Sequence, residues 1–177
     1  FIPYKKQIEA LMSGEVDLLT DLPGTQTLKI KANPKLTVLK KATFYTMPFA
    51  LNLSSGPLSN LDVRKALNHA VDKESLVRYD LLGNGTPIAT LSMPGQKGHN
   101  PSLIPYAYDL GKAKELLAKA GYPNGFTLNF LVKYNAERTA RIVAANLKRI
   151  GVNLKITLAS DADVLKEFQN RKYDMLI

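Results

Sequence analysis

Apolar positions along the chain recur with two different periods. In several segments they lie three and four residues apart, as on one face of an amphipathic helix, and these segments stop near glycine, asparagine or proline. This pattern predicts a pair of helices between residues 61 and 82, and further helices over residues 5–12, 24–32, 110–120, 136–150 and 161–170.

Strand-like patterns fill the segments between these helices. Alternating or continuous apolar positions predict strands over residues 16–19, 36–40, 44–53, 126–132, 152–158 and 173–177. The segment 44–53 is rich in apolar and aromatic residues, and we expect it to be largely buried. From residue 126 onward strands and helices alternate, which predicts an α/β fold with a parallel or mixed sheet and helices packed against it.

Helix caps and one long loop complete the predicted layout. A short polar side chain just before a helix can accept a hydrogen bond from a free backbone N–H of the first turn. The candidate caps are Asn60 or Asp62, Asp72, Asp109 and Ser160. Residues 83–108 have no helical period and hold several glycines and prolines, so they predict a long ordered loop, which in a compact domain suggests a role.

Composition limits the classes of protein to consider. The chain has 177 residues, of which 45% are hydrophobic, and its apolar runs fall short of the ~20 residues that span a bilayer. It has no cysteine, which excludes disulfides and thiol chemistry. The net charge of +9 would suit a nucleic acid or an anionic surface, but the basic residues are scattered over predicted helices without interleaved aromatics. We therefore interpret them as solvated faces.

Motifs for catalysis are absent from the sequence. There is no zinc-protease His-Glu-x-x-His, no phosphate-binding Gly-x-x-x-x-Gly-Lys and no Gly-x-Ser-x-Gly. Of the two histidines, His69 falls inside a predicted helix, where a packed or surface role is expected. His99 lies in the long loop and is better placed to touch a ligand. The sequence implies no enzyme activity, no cofactor and no metal site.

One ordered set of motifs resembles a known family. In chain order these are Gly14-Glu15-Val16-Asp17, the segment 61–72, Gly83-Asn84-Gly85-Thr86-Pro87, Met93-Pro94-Gly95, Tyr108-Asp109 and Ala120-Gly121-Tyr122-Pro123-Asn124-Gly125. Their spacing resembles the peptide/nickel class of extracytoplasmic solute-binding proteins. These bacterial proteins capture dipeptides, oligopeptides or nickel complexes in the periplasm and deliver them to the transmembrane subunits of ABC importers.

The resemblance implies a domain layout. Family members have a two-lobed, type II periplasmic-binding-protein-like fold, and their chains are much longer. We expect residues 1–41 to be a remnant of the first lobe with the crossover, and residues 42–177 to be an incomplete second α/β lobe. A lobe separated from its partner would expose surface that is normally covered, so self-association of this piece is expected as an artefact.

The resemblance also implies ligand-binding residues. In the dipeptide branch an arginine just after the strand that follows the Gly-Tyr-Pro segment pairs with the ligand carboxylate, and Lys133 holds that position here. Lysine keeps the charge but loses the bidentate fork. Tyr134 and Asn135 would line the same rim, with His99 as a further candidate. The aspartate that holds the peptide amino group would lie beyond Ile177, and Asp174 does not take its place.

The sequence leaves alternatives open. A solvated lysine at the end of a strand explains Lys133 about as well as a ligand contact does. A di- or oligopeptide is the expected ligand and a nickel complex the second candidate. A basic nucleic-acid-binding domain, or a piece of an enzyme without a recognisable motif, are the alternative classes.

Overall fold

A computed structural model describes residues 2, 6–20, 22, 24–41, 43–54 and 56–177. The helices are α1 (Gln7–Ser13), α2 (Thr27–Lys31), α3 (Leu61–Ala70), α4 (Lys73–Ser75, continued by a π-helical turn over Leu76–Asp80), α5 (Leu110–Lys119), α6 (Glu137–Lys148) and α7 (Asp161–Gln169). The strands are β1 (Ala50–Leu51), β2 (Phe126–Lys133), β3 (Val152–Ala159) and β4 (Met175–Leu176). Short 3-10 turns cover Gly24–Gln26, Pro57–Ser59 and Tyr134–Ala136.

The strands form one mixed sheet in the order β1-β4-β2-β3. β2 and β3 run parallel, from Phe126 opposite Val152 to Lys133 opposite Ala159. β4 is parallel to β2, whereas β1 is antiparallel to β4. The predicted α/β class with a mixed sheet is therefore confirmed.

Both faces of β2 are buried, which places the core around this strand. Leu128, Phe130 and Val132 pack in the main cluster with apolar residues of α3, α5 and α6. Leu131 points to the other face and packs with Ala159 and with Val164 of α7. Helices α3, α5 and α6 each bury a stripe of residues three and four apart, such as Ala140, Val143 and Leu147 on α6. Among the described residues no helix has the length and apolar character to cross a membrane.

Helices α3, α4, α5 and α7 each begin at one of the predicted cap residues. The Asn60 side chain accepts from the N–H of Asp62, and Asp72 accepts from the N–H of Ser75. The Asp109 carboxylate accepts from the N–H of Lys112 at 2.8 Å, and the Ser160 hydroxyl accepts from the N–H of Asp163 at 3.2 Å. Asn60, and not Asp62, is thus the cap of α3.

The prediction of a buried strand over residues 44–53 is wrong in both length and burial. Only Ala50 and Leu51 pair as a strand, at the edge of the sheet. Pro48 has no N–H to donate, so it does not fit a strand paired on both sides. Phe44 and Tyr45 are 64% and 77% exposed, respectively. Likewise β4 is shorter than the predicted strand over residues 173–177.

The amino-terminal segment differs from the prediction as well. Residues 16–19 and 36–40 are not strands, because no neighbouring strand pairs with them among the described residues; Leu39 is 88% exposed. The helix predicted over 5–12 is present as α1, although Lys5 lies outside the described residues, and that over 24–32 is a 3-10 turn followed by α2. Residues 83–108 form the predicted loop without helix or strand.

Two glycines let the parallel strands β2 and β3 begin side by side. Gly125 and Gly151, which precede these strands, have φ angles of +75° and +82°. A Cβ on Gly125 would lie 2.0 Å from the carbonyl oxygen of Gly151. Only glycine allows both the left-handed backbone and this approach of one main chain to another.

Candidate functional site

Lys133 stands where β2 ends, at the carboxyl edge of the parallel strands. Its N–H donates to the carbonyl of Ile177 at 3.0 Å, and in the parallel pairing it lies opposite Ala159. The backbone of this residue is therefore fixed by strands on both sides. Ligands of open α/β sheets bind at this edge, so the position suits a ligand contact.

The Lys133 side chain reaches across to the start of α7. Its ammonium lies 2.9 Å from a carboxylate oxygen of Asp161, and the two side chains are 43% and 82% exposed. The hydrogen bond to Asp161, aided by the negative charge of that carboxylate, raises the pKa of Lys133 above its ordinary value. Lys133 is thus a fully charged cation whose counter-ion comes from the chain itself.

Tyr45 brings the segment before β1 to the same place. When Tyr45 is ionised, its negative charge adds to the causes that raise the pKa of Lys133, and its side chain is 77% exposed. The neighbouring Phe44 faces the long loop, because a Cβ built on Gly95 would lie 4.0 Å from the end of the Phe44 ring. Exposed aromatic surface therefore lies beside the lysine.

Tyr134 and Asn135 follow Lys133 in the 3-10 turn that leads to α6. Tyr134 is 64% exposed and Asn135 is exposed. The hydrogen bonds of the described residues include none to either side chain, so both are available to a ligand. We refer to Tyr45, Lys133, Tyr134, Asn135 and Asp161 as the β2 rim.

His99 is not brought to the rim by any contact among the described residues. Its Nδ1 lies 2.9 Å from the carbonyl oxygen of Ser92, within the same loop. The second histidine, His69, places its Nδ1 2.8 Å from the carbonyl oxygen of Ala107 and meets the edge of Tyr106. Both rings tie loop backbone in place, and for His69 this is the packed role that the sequence predicts.

Asp174, which is not predicted from the sequence to be a ligand anchor, has a structural role in the sheet. Its carboxylate accepts from the backbone N–H of Asn129 at 2.7 Å and from the side-chain amide of Asn129 at 2.9 Å. Its own carbonyl accepts from the N–H of Asn52. Asp174 therefore continues the hydrogen bonding of the sheet beyond the amino end of β4.

Other concave or ionisable features lie away from the rim. A shallow groove next to the amino end of β4 is lined by residues 51–54 together with Phe168, Gln169, Arg171 and Tyr173. The nearly buried carboxylate of Asp80 pairs with Arg138 at 2.9 Å and accepts from the Thr139 hydroxyl, which links α4 to α6. Within the described ranges no three His, Asp or Glu side chains converge as metal ligands would.

Two members of the rim were missed by reasoning from sequence. The sequence pattern predicts that Asp161 begins a helix and that Tyr45 lies inside a buried strand. The signal for Tyr45 was Pro48, which argues against a paired strand. For Asp161 no local signal exists, because its partner is 28 positions away in the chain.

Comparisons with known proteins show the family to which the chain belongs. The model of the family described as bacterial extracellular solute-binding proteins, family 5 Middle, matches residues 1–177. Heme-binding protein A of Haemophilus influenzae is 33% identical over 163 residues, which is 88% of this chain and 30% of that protein. Glutathione-binding protein GsiB of Pectobacterium atrosepticum is 32% identical over 155 residues, covering 86% of this chain and 30% of that protein.

A solved structure supports the same assignment. The periplasmic binding protein DppA of Helicobacter pylori, in complex with the peptide STSA, superposes with a TM-score of 0.88 at 28% identity, over 97% of this chain and 34% of that one. The chain thus spans 30% of the length of the curated relatives named above. The fold is a mixed α/β part of a periplasmic binding protein, and the family consists of extracellular solute-binding proteins, not enzymes. This chain belongs to the bacterial extracellular solute-binding proteins of family 5.

Proposed function

We propose that this chain is part of a receptor that captures a peptide or a related small solute outside the cytoplasm. The receptor would deliver the solute to the transmembrane subunits of an ABC importer. The single observation that carries this proposal is the β2 rim, where a cation and exposed aromatic side chains stand on a rigid sheet. Family membership supports it.

The chemistry of the rim suits a ligand that bears a carboxylate. The Lys133 ammonium lies at the end of a strand whose backbone is held on both sides. Tyr45 and Tyr134 offer ring surface and hydroxyl groups for the remainder of a ligand. The relatives are named for heme and glutathione, and the DppA structure holds a peptide. These three kinds of ligand share a carboxylate, so the charge of Lys133 has a partner in each.

We place a peptide first among these ligands. The rim offers groups for an extended main chain: the Asn135 amide can both donate to and accept from a peptide group, and the tyrosine hydroxyls can do the same. A nickel complex is the second candidate, held by its organic ligand, because the described residues hold no cluster of metal-ligating side chains. The bound solute is to be identified by measuring the affinity of the protein for each kind of ligand.

The proposed site is divided between two lobes. Residues 1–41 would belong to one lobe and residues 42–177 to the other, although residue 42 itself lies outside the described residues. Two observations support this division. The segments 16–19 and 36–40 pair with no strand among the described residues, and the buried residues Ala10, Leu11 and Ile30 are in neither core cluster.

A divided site has a consequence for affinity. Two-lobed receptors bind by closing around the ligand, so one lobe provides only part of the contacts and excludes little water. Loss of one charge-assisted anchor in a desolvated site costs about 2–5 kcal/mol, or about thirtyfold to several thousandfold in affinity. We therefore expect the 177-residue chain alone to bind at least about thirtyfold more weakly than the full-length protein.

Calorimetry on the full-length protein tests the proposal. The probes are the peptide Ser-Thr-Ser-Ala, glutathione, heme and, as an uncharged control, maltose. We expect binding of at least one carboxylate-bearing probe and none of maltose. In Lys133→Ala this affinity should fall about tenfold or more, because the ammonium is lost while the backbone bond to Ile177 remains.

Lys114→Ala, which removes an exposed lysine of α5, is the matched control and should bind like the wild type. Unchanged affinity in Lys133→Ala would remove that residue from the site. Binding by the 177-residue chain alone that is less than about thirtyfold weaker than binding by the full-length protein would contradict a site divided between lobes. Failure of every carboxylate-bearing probe to bind would overturn the proposed ligand class.

A further inference from the structure

The cation of the β2 rim is already occupied by a carboxylate of the same chain. Asp161 lies 2.9 Å from the Lys133 ammonium, in the position that a ligand carboxylate would take. Asp161 is 82% exposed, so water or a ligand can reach it. Any anionic group that approaches Lys133 therefore meets a resident competitor.

The start of α7 does not require Asp161 for its cap. The Ser160 hydroxyl accepts from the N–H of Asp163, and it donates to the Asp163 carboxylate at 2.7 Å. The helix is fixed to the sheet through Val164, which packs with Leu131 and Ala159. Asp161 is therefore held beside Lys133 by a rigid helix whose own hydrogen bonds are met by other residues.

We propose that Asp161 is a specificity-determining residue, an internal counter-ion that a ligand carboxylate must displace from Lys133. This inference rests on the proposed function, because it requires that the ligand reach the β2 rim. With Asp161 in place, ligands that present an anion at this point are penalised relative to ligands that present a neutral group. The pair of Lys133 and Asp161 thus determines the affinity for anionic ligands relative to that for neutral ligands.

The size of the effect depends on closure. In the open state the pair is exposed to water, and exposed ion pairs contribute little. When a second lobe closes over the rim, water is excluded and like charges repel strongly. A ligand carboxylate and the Asp161 carboxylate would then compete for one ammonium in a site of low dielectric, which makes Asp161 matter for binding more than for stability.

The test compares two probes that differ only in charge. Ser-Thr-Ser-Ala with a free carboxyl group and the same peptide with a carboxyl-terminal amide are titrated into the full-length protein by calorimetry. In Asp161→Asn we expect the free acid to bind about tenfold more tightly and the amide to change by less than about twofold. The tenfold gain should disappear when Lys133→Ala is added to Asp161→Asn, because the two carboxylates no longer share an ammonium.

Glu115→Gln is the matched control, since it removes the carboxylate of another exposed ion pair, that with Lys112 on α5. It should leave both probes unchanged. If the affinities for both probes changed equally in Asp161→Asn, or did not change, the inference would be overturned. The proposed function would still stand if the wild type bound the peptide. If Asp161→Asn bound the free acid and the wild type did not, that result would support the inference. No binding of either probe by any variant would count against both.

Discussion

The described residues of 6–48 and residues 49–177 bury their apolar side chains in different ways. In the second region one sheet and the helices against it share a continuous core that runs from Leu58 to Ile177. In the first, the buried side chains Ala10, Leu11 and Ile30 belong to neither core cluster. Both regions have similar hydrophobic patterns in sequence. The pattern therefore predicts that a segment will be buried, but it does not predict which part of the protein packs against it.

The comparison also concerns hydrogen bonds. Backbone groups of β2 pair with strands on both sides, whereas the extended residues 36–40 have no strand partner among the described residues. Among the described residues, the hydrogen bonds from residues 36–40 to residues 49–177 are limited to the one from the Lys40 ammonium to the carbonyl of Gly83. We infer that residues 49–177, in which the Phe49 ring packs against Phe130, unfold as one cooperative unit and that the described residues of 6–48 contribute little to it.

The largest effect on the free energy of unfolding is expected at the start of β2 and β3, where the two main chains approach each other closely. In Gly125→Ala the new Cβ would lie 2.0 Å from the Gly151 carbonyl oxygen, so main chain must move and the two strands must separate at their amino ends. We expect a loss of about 4 kcal/mol or more in the free energy of unfolding, or no folded protein. Urea denaturation measures this.

Gly121→Ala is the matched control for that substitution. Gly121 also has a positive φ, of +89°, but a Cβ there would meet nothing within 4 Å. Only the backbone strain remains, at about 1–2 kcal/mol. If the two variants lost the same stability, the approach of the two main chains would not be what makes Gly125 necessary.

The next prediction compares one substitution in the two regions. Ile150 is 4% exposed and belongs to the main core, and Ile30 is 2% exposed and does not. Ile150→Ala should lower the free energy of unfolding of the 177-residue chain by about 2–5 kcal/mol. Ile30→Ala should lower it by less than about 1 kcal/mol, because its surroundings are not part of the cooperative unit. Equal losses in denaturation curves would show that the two regions unfold together.

The smallest effect is expected from an ion pair on the surface of the second region. The Lys119 ammonium, 2.9 Å away, hydrogen-bonds to the Asp62 carboxylate and lowers its pKa below the ordinary value, while its charge adds to the shift. The pair therefore stabilises the fold above about pH 4, and the contribution is lost as the pH falls through the lowered pKa. Lys119→Ala should make the midpoint of acid unfolding rise slightly.

The neighbouring exposed lysine gives the control for this measurement. Lys114→Ala removes a charge from the same helix and leaves the pair intact. Its acid midpoint should stay with that of the wild type. A rise of equal size in both variants would mean that net charge, and not the pair with Asp62, shifts the acid transition.

Sequence sufficed where the decisive interactions are local. Asp72, Asp109 and Ser160 cap helices through bonds to residues three positions on, and such spacing is visible in the sequence. The prediction of β2 and β3 rested on apolar alternation bounded by glycine, and both strands are present within one residue of the expected ends. The mixed sheet followed from the alternation of strands with helices.

Sequence did not suffice where residues far apart in the chain must meet. The strand order depends on β4 entering between β1 and β2, which nothing in the pattern of residues 173–177 reveals. The prediction of a strand over residues 44–53 rests on the apolar residues of that segment. Pro48 argues against it, because proline has no N–H to donate to a neighbouring strand. Lys133 was predicted as a candidate, but the pairing with Asp161 requires the register of β2 and β3.

The position of β3 in the sheet has a consequence for how the protein behaves in solution. β3 is eight residues long and lies at an edge, so one side of its backbone has no strand partner among the described residues. Long open edges are templates for pairing with another copy, and lysine on such a strand opposes this because the charge would have to be desolvated. We expect the charge of Lys155, which is exposed at the middle of β3 between Asn153 and Thr157, to oppose such pairing between copies of this chain.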